Sequence, residues 1–96
     1  MKVYINKSSI HGEGLFAVKD LFIYEYLFTV IKDHEITKIG EKINHSYKPN
    51  CILARNNNDF EIYANENIDK DTELTVDYTF TPEYIKKPEQ YFPRLK

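Results

Sequence analysis

The chain has 96 residues, 42% hydrophobic and 15% aromatic, enough for a single domain spanning 1–96 with one modest core. Thirteen Lys and Arg against fifteen Asp and Glu give a formal net charge of −2. No basic stripe of the kind that displaces phosphate counterions is present, which argues against nucleic acid as the main partner. A lone cysteine, Cys51, can form neither an internal disulfide nor a cysteine-ligated zinc site. No apolar run reaches the roughly 18–20 residues that span a bilayer, and no secretory signal pattern opens the chain. No membrane partner and an intracellular location are therefore expected.

Periodicity favours strands almost throughout. Val3-Tyr4-Ile5 reads as a short strand, residues 8–14 as a glycine-containing turn, and Leu15-Phe16-Ala17-Val18 as a second strand. Aromatic and β-branched residues crowd positions 21–31, which predicts one or two further strands. Residues 33–42 are polar and long enough for one or two helical turns. Ile52-Leu53-Ala54 and Phe60-Glu61-Ile62-Tyr63-Ala64 flank an Asn/Asp cluster at 56–59, a hairpin signal. Residues 67–72 form another turn, and 73–80 alternate as a last strand, with Leu74, Val76 and Tyr78 on one face. The tail, 81–96, holds three of the four prolines with Tyr84, Tyr91 and Phe92. The predicted class is mainly β, with very little helix.

Three segments could carry chemistry. In Gly12-Glu13-Gly14, paired glycines permit positive φ or close approach of backbone to a ligand, or simply a turn between strands. With no third glycine and no following helix, it is not a dinucleotide fingerprint. Asn44-His45-Ser46 precedes Pro49-Asn50-Cys51 and could hold a polar ligand such as an adenine edge, although on its own it reads rather as a capped turn with a surface histidine. Adjacent Ser and His do not make a nucleophile and its base, because neighbouring side chains rarely face each other. Tyr78, at the end of Glu73-Leu74-Thr75-Val76-Asp77-Tyr78, reads alone as core packing with a hydroxyl that needs a partner.

In this order, His11-Gly12-Glu13-Gly14-Leu15-Phe16-Ala17, Ile43-Asn44-His45-Ser46 with Pro49-Asn50, and Glu73-Leu74-Thr75-Val76-Asp77-Tyr78 resemble the SET-domain signature over residues 3–80. The SET family comprises S-adenosylmethionine-dependent protein lysine methyltransferases, with a β-clip fold of several short sheets and a C-terminal pseudoknot. The resemblance implies that Gly12, Glu13, Gly14 and Leu15, with Asn44 and His45, hold S-adenosyl-L-methionine, and that Tyr78 is the catalytic tyrosine. It implies a lysine-containing protein or peptide, histones included, as substrate, bound as an added strand, and no metal. Phe80 and Tyr84 are candidates for the lysine channel; no first-half channel tyrosine aligns, although Tyr24 and Tyr26 lie nearby.

The sequence also departs from the family pattern. Residues 33–42 stand where the family carries a long helical insert, Lys42-Ile43 replaces Arg-Phe, Tyr47 replaces a cysteine, and the cysteine-rich zinc tail is absent. A groove shortened in this way could be completed by a second copy, as in a small viral SET protein, so a homodimer is expected. The rival readings are a SET-fold module that binds protein or cofactor without turnover, and an unrelated small all-β interaction module.

Overall fold

A computed structural model describes residues 1–80. Strands β1 (Val3–Lys7) and β2 (Glu13–Ala17) form an antiparallel hairpin, with Val3 opposite Ala17 and Lys7 opposite Glu13. Strand β3 (Tyr26–Lys32) leads into the two-residue β4 (Glu35–Ile36), and a 3₁₀ turn at Gly40–Lys42 precedes β5 (Asn44–His45). Strands β6 (Cys51–Asn56) and β7 (Asp59–Ala64) form the expected hairpin, with Asn57 at φ 57° in its loop. Strand β8 (Glu73–Val76) is followed by a second 3₁₀ turn, Tyr78–Phe80. Among the described residues two four-stranded sheets result, ordered β1-β2-β8-β5 and β4-β3-β7-β6.

Three local expectations are corrected. Within residues 21–31, only Tyr26 onward is strand; Leu21 makes an isolated bridge to Ile68. Glu25 N–H closes a turn onto the Phe22 carbonyl, and Tyr24 sits at φ 70°. Between these points the chain leaves the first sheet for the second, and that requirement overrides the β propensity of Phe22, Ile23 and Tyr24, all exposed. Residues 33–42 form β4 and one 3₁₀ turn. Asp33 and His34 both lie at positive φ in a two-residue hairpin loop, the twist that such loops favour.

The last strand stops at Val76, so Tyr78 does not share a strand face with Leu74. The backbone curls because Tyr78 N–H bonds to His45 Nδ1 and Thr79 N–H to Asp77 Oδ1. Leu74, Thr75 and Val76 are all buried, because β8 lies between β2 and β5 with β6 packed across it.

Leu15, Leu21, Ile31, Ile43, Ile62 and Leu74 are the largest fully buried apolar side chains, and they draw on both sheets. The central join is parallel: Asn44 opposite Thr75 and His45 opposite Val76. Beyond the two residues of β5, the Asn50 side chain continues the pairing. Its Nδ2 donates to the Glu73 carbonyl at 2.8 Å and its Oδ1 accepts from Thr75 N–H at 2.9 Å. An amide side chain thus stands in for a neighbouring strand. Asn50→Ala leaves both backbone groups without partners in a part-buried site, so it is expected to lower stability by about 2–4 kcal/mol. Urea unfolding should show a lower midpoint at unchanged slope; a loss below about 0.5 kcal/mol would contradict this role.

Candidate active site

The loop after β1 is organised by one hydroxyl. Ser8 Oγ accepts from Ile10 N–H (2.9 Å) and His11 N–H (3.3 Å), while Ser8 N–H donates to the Gly12 carbonyl at 2.8 Å. Gly12 closes the loop at φ +48°, where an L side chain is strained, and nothing lies within 4 Å of the place its Cβ would take. The backbone there is open to a ligand. Gly14 has a different reason to be glycine. A Cβ would fall 2.2 Å from Glu73 Oε2 and 3.1 Å from Asn44 Nδ2, so that space belongs to a side-chain cluster of the protein itself.

In that cluster, Asn44 Nδ2 lies within bonding reach of Glu73 Oε2 (2.8 Å), Ser8 Oγ (3.0 Å), the His11 carbonyl (3.1 Å) and the Glu13 carbonyl (3.3 Å). Two amide hydrogens serve these four acceptors, so the amide nitrogen is spent on the loop. Glu13 reaches outward to Lys42 Nζ at 3.0 Å, an exposed pair that contributes little. Leu15 is fully buried in the core between Ile5 and Leu74.

One residue further on, His45 is 1% exposed, with the Tyr47 ring edge-on at 4.2 Å and the Tyr78 ring tilted at 5.7 Å. Its Nδ1 accepts the Tyr78 N–H at 3.0 Å, which places the proton of the neutral ring on Nε2. The Asp77 carboxylate is 3.8 Å from the same Nδ1. The Tyr78 hydroxyl donates to the Ile43 carbonyl, immediately before Asn44. Tyr78 is therefore held at both ends by the Ile43–His45 segment.

These residues border a cleft of about 380 Å³ between the two sheets. His11, Asn44, His45 and Tyr78 form its polar side; Ile31, Ile36, Leu53 and Ile62 form its apolar wall. A second cleft of about 370 Å³ is lined by Pro49, Cys51, Ile52, Asn65 and Asp77, and it shares Leu53 and Val76 with the first. Those two side chains stand between the clefts. Among the described residues no group of His, Cys, Asp or Glu could hold a metal ion.

The family model of the SET domain matches residues 4–79. The chain belongs to the SET-domain family. Human histone-lysine N-methyltransferase 2D is 31% identical over 117 aligned positions, as is its mouse counterpart, each covering 81% of this chain. The matched stretch is longer than the chain itself, so these relatives carry extra residues within it, in keeping with the short segment 33–42. The chain spans about 2% of the length of these curated relatives. A solved structure of a Plasmodium falciparum protein, provisionally named a histone methyltransferase, superposes with a TM-score of 0.65 at 25% identity. It covers 88% of this chain and 97% of its own. The mainly β fold is thus that of a SET domain.

Within this SET domain, the fold gathers Gly12, Glu13, Gly14, Asn44, His45 and Tyr78 from three distant stretches of sequence. The channel candidate Phe80 ends the second 3₁₀ turn, and Tyr84 lies outside the described residues. Tyr26 packs edge-on against Tyr63 on the second sheet, and neither it nor the exposed Tyr24 lines either cleft. Sequence reasoning did not single out Ser8, Asn50 or Glu73. The available signals were a serine opening a glycine-closed turn, an asparagine just before a strand, and a carboxylate heading a strand that is otherwise apolar.

Cys51, in the wall of the second cleft, is 1% exposed, and burial pushes its thiol pKa up from 9.0 to about 12. The folded state holds this proton more tightly than the unfolded state, so the thiol costs stability only as pH rises above 9. Thiolate is the reactive form. A disulfide reagent at pH 8 should therefore label Cys51 at least about a hundredfold more slowly in the native protein than in urea; equal rates would show that the thiol is accessible.

Proposed function

We propose that this SET domain is a protein-lysine N-methyltransferase that uses S-adenosyl-L-methionine and transfers the methyl group in line to a lysine amine. The observation that carries the reading is that His11, beside the open backbone of Gly12, borders one cleft with Asn44–His45 and Tyr78, next to the parallel β5–β8 pairing. The residues fit the cofactor: the open backbone at Gly12 gives room for close approach, and 380 Å³ lies within the range of small-molecule sites. Gly12, Glu13, Asn44 and His45 would hold it, with Gly14 and Leu15 backing them. When bound, the cofactor supplies an electrophilic methyl on a sulfonium.

The protein's own residues then do the positioning. Anchored through its hydroxyl to the Ile43 carbonyl and through its N–H to His45, Tyr78 presents a fixed phenol and π-face beside the cleft. Such a ring favours cationic centres at its face. The second cleft, across Leu53 and Val76, supports entry of the lysine from the opposite side. There Asp77 attracts the ammonium form at the surface, while burial against Ile52, Leu53 and Val76 favours the neutral amine, whose ordinary pKa is about 10.4. In-line attack needs that neutral amine, and held alignment is a large source of rate for such a displacement.

The substrate proposed is a lysine-bearing protein inside a cell, with histones the first to try because the named relatives are histone-lysine methyltransferases. A second copy of the chain is proposed to complete the groove that the short residues 33–42 leave open. Light scattering is expected to give a dimer, and a monomer that still turns over would remove this element. Labelled S-adenosylmethionine incubated with histones or a lysate should label lysine, and Tyr78→Phe should cut the rate by at least about a hundredfold, since it removes the hydroxyl that fixes the ring. Equal labelling by both proteins would refute the role of Tyr78; no labelling, with tight cofactor binding, would favour a binding module without turnover.

A further inference from the structure

Of the Ser8, Asn44 and Glu73 cluster only Asn44 enters the function outlined above, yet all three are bonded to one another. The Ser8 hydroxyl has one hydrogen, and both Glu73 carboxylate oxygens lie 2.8 Å away to accept it. With that hydrogen turned to Glu73, the Ser8 lone pairs are shared by the Ile10 N–H, the Asn44 amide and the His11 N–H, at 2.9, 3.0 and 3.3 Å. Glu73 also takes a hydrogen from Asn44 at 2.8 Å, and its carboxylate occupies the space over Gly14 where a side chain would otherwise stand. The carboxylate therefore sets the rotor of Ser8. Ser8 in turn sets the backbone of residues 10–12, and Asn44 joins the same group to the His11 and Glu13 carbonyls.

We propose that Glu73 and Ser8 are positioning residues, a polar clasp that holds residues 8–14 in the shape that receives the cofactor. The inference rests on the cofactor assignment above and adds the residues that preorganise it. The clasp acts before any methyl group moves. Its loss therefore weakens binding of the cofactor and leaves the transfer step, where Tyr78 stands, nearly intact. A charge-assisted hydrogen bond is worth more than a neutral one, which makes the carboxylate the sensitive member.

The test compares wild type, Glu73→Gln, Ser8→Ala, Ser8→Thr and the double variant Ser8→Ala/Glu73→Gln, all shown to be folded. Calorimetry with S-adenosylhomocysteine is read beside the KM for S-adenosylmethionine and kcat. Glu73→Gln and Ser8→Ala should each raise Kd and KM about tenfold, with kcat within about twofold. Ser8→Thr, which keeps the hydroxyl, should recover most of the affinity lost in Ser8→Ala. The double variant should be little worse than the weaker single variant, because the two residues act as one unit.

Unchanged KM in the folded variants, or a fall in kcat at constant KM, overturns the proposal. Should wild type itself bind no S-adenosylhomocysteine, the cofactor assignment fails, and amide exchange tests the clasp alone. Exchange at Ile10 and His11 is then expected to quicken about tenfold in Glu73→Gln, and unchanged exchange overturns the clasp.

Discussion

The parallel pairing of Asn44–His45 with Thr75–Val76 is the constraint on which the site depends. Two residues of strand are a short contact, and by themselves they would fray. They are extended on one side by the Asn50 amide, which bonds to the Glu73 carbonyl and the Thr75 N–H, and on the other by Ser46 N–H to the Val76 carbonyl. The chain between β5 and β8 meanwhile builds half of the second sheet, so the join cannot slip without disturbing β6 and β7. A central position in the first sheet, rather than an edge, leaves β8 buried on both faces, at Leu74 and Val76 on one and Thr75 on the other.

From this join, the site follows in three directions. Upstream of Asn44, the Ile43 carbonyl takes the Tyr78 hydroxyl; at Asn44, the side-chain amide gathers the loop of residues 8–14; at His45, the imidazole takes the Tyr78 N–H. Each of these three consecutive residues is buried; Ile43 and His45 hold the two ends of Tyr78, and Asn44 holds the loop. That is why one tetrapeptide carries so much of the sequence signal: its neighbours in space are the remaining motifs.

Much of this was legible in the sequence, and the reasons differ by residue. The β6–β7 hairpin could be read because an Asn/Asp cluster between two β-rich runs is a local signal. The β-rich run Phe22-Ile23-Tyr24 misled for the opposite reason: the demand there is for a crossing between sheets, set by the Leu21–Ile68 bridge more than forty residues away. Alternation, the local cue at Tyr78, points to a strand, whereas the bond that curls the backbone there comes from His45. Gly14 can be read as a site glycine from its motif, whereas the Glu73 carboxylate that fills the place of its Cβ lies in no window around it. Phe80 ends the described turn, and the assignment of Tyr84 to the channel lies outside the described residues.

The most direct test of the central claim is a titration of the ¹⁵N-labelled protein with S-adenosylhomocysteine, followed amide by amide. The largest shifts are expected at His11, Gly12, Glu13, Asn44, His45 and Tyr78, three stretches brought together by the β5–β8 pairing and by the bonds that Asn44 and Tyr78 make across it. No shifts at millimolar ligand, or shifts centred on the β6–β7 loop at Asn57 and Asn58, would contradict it.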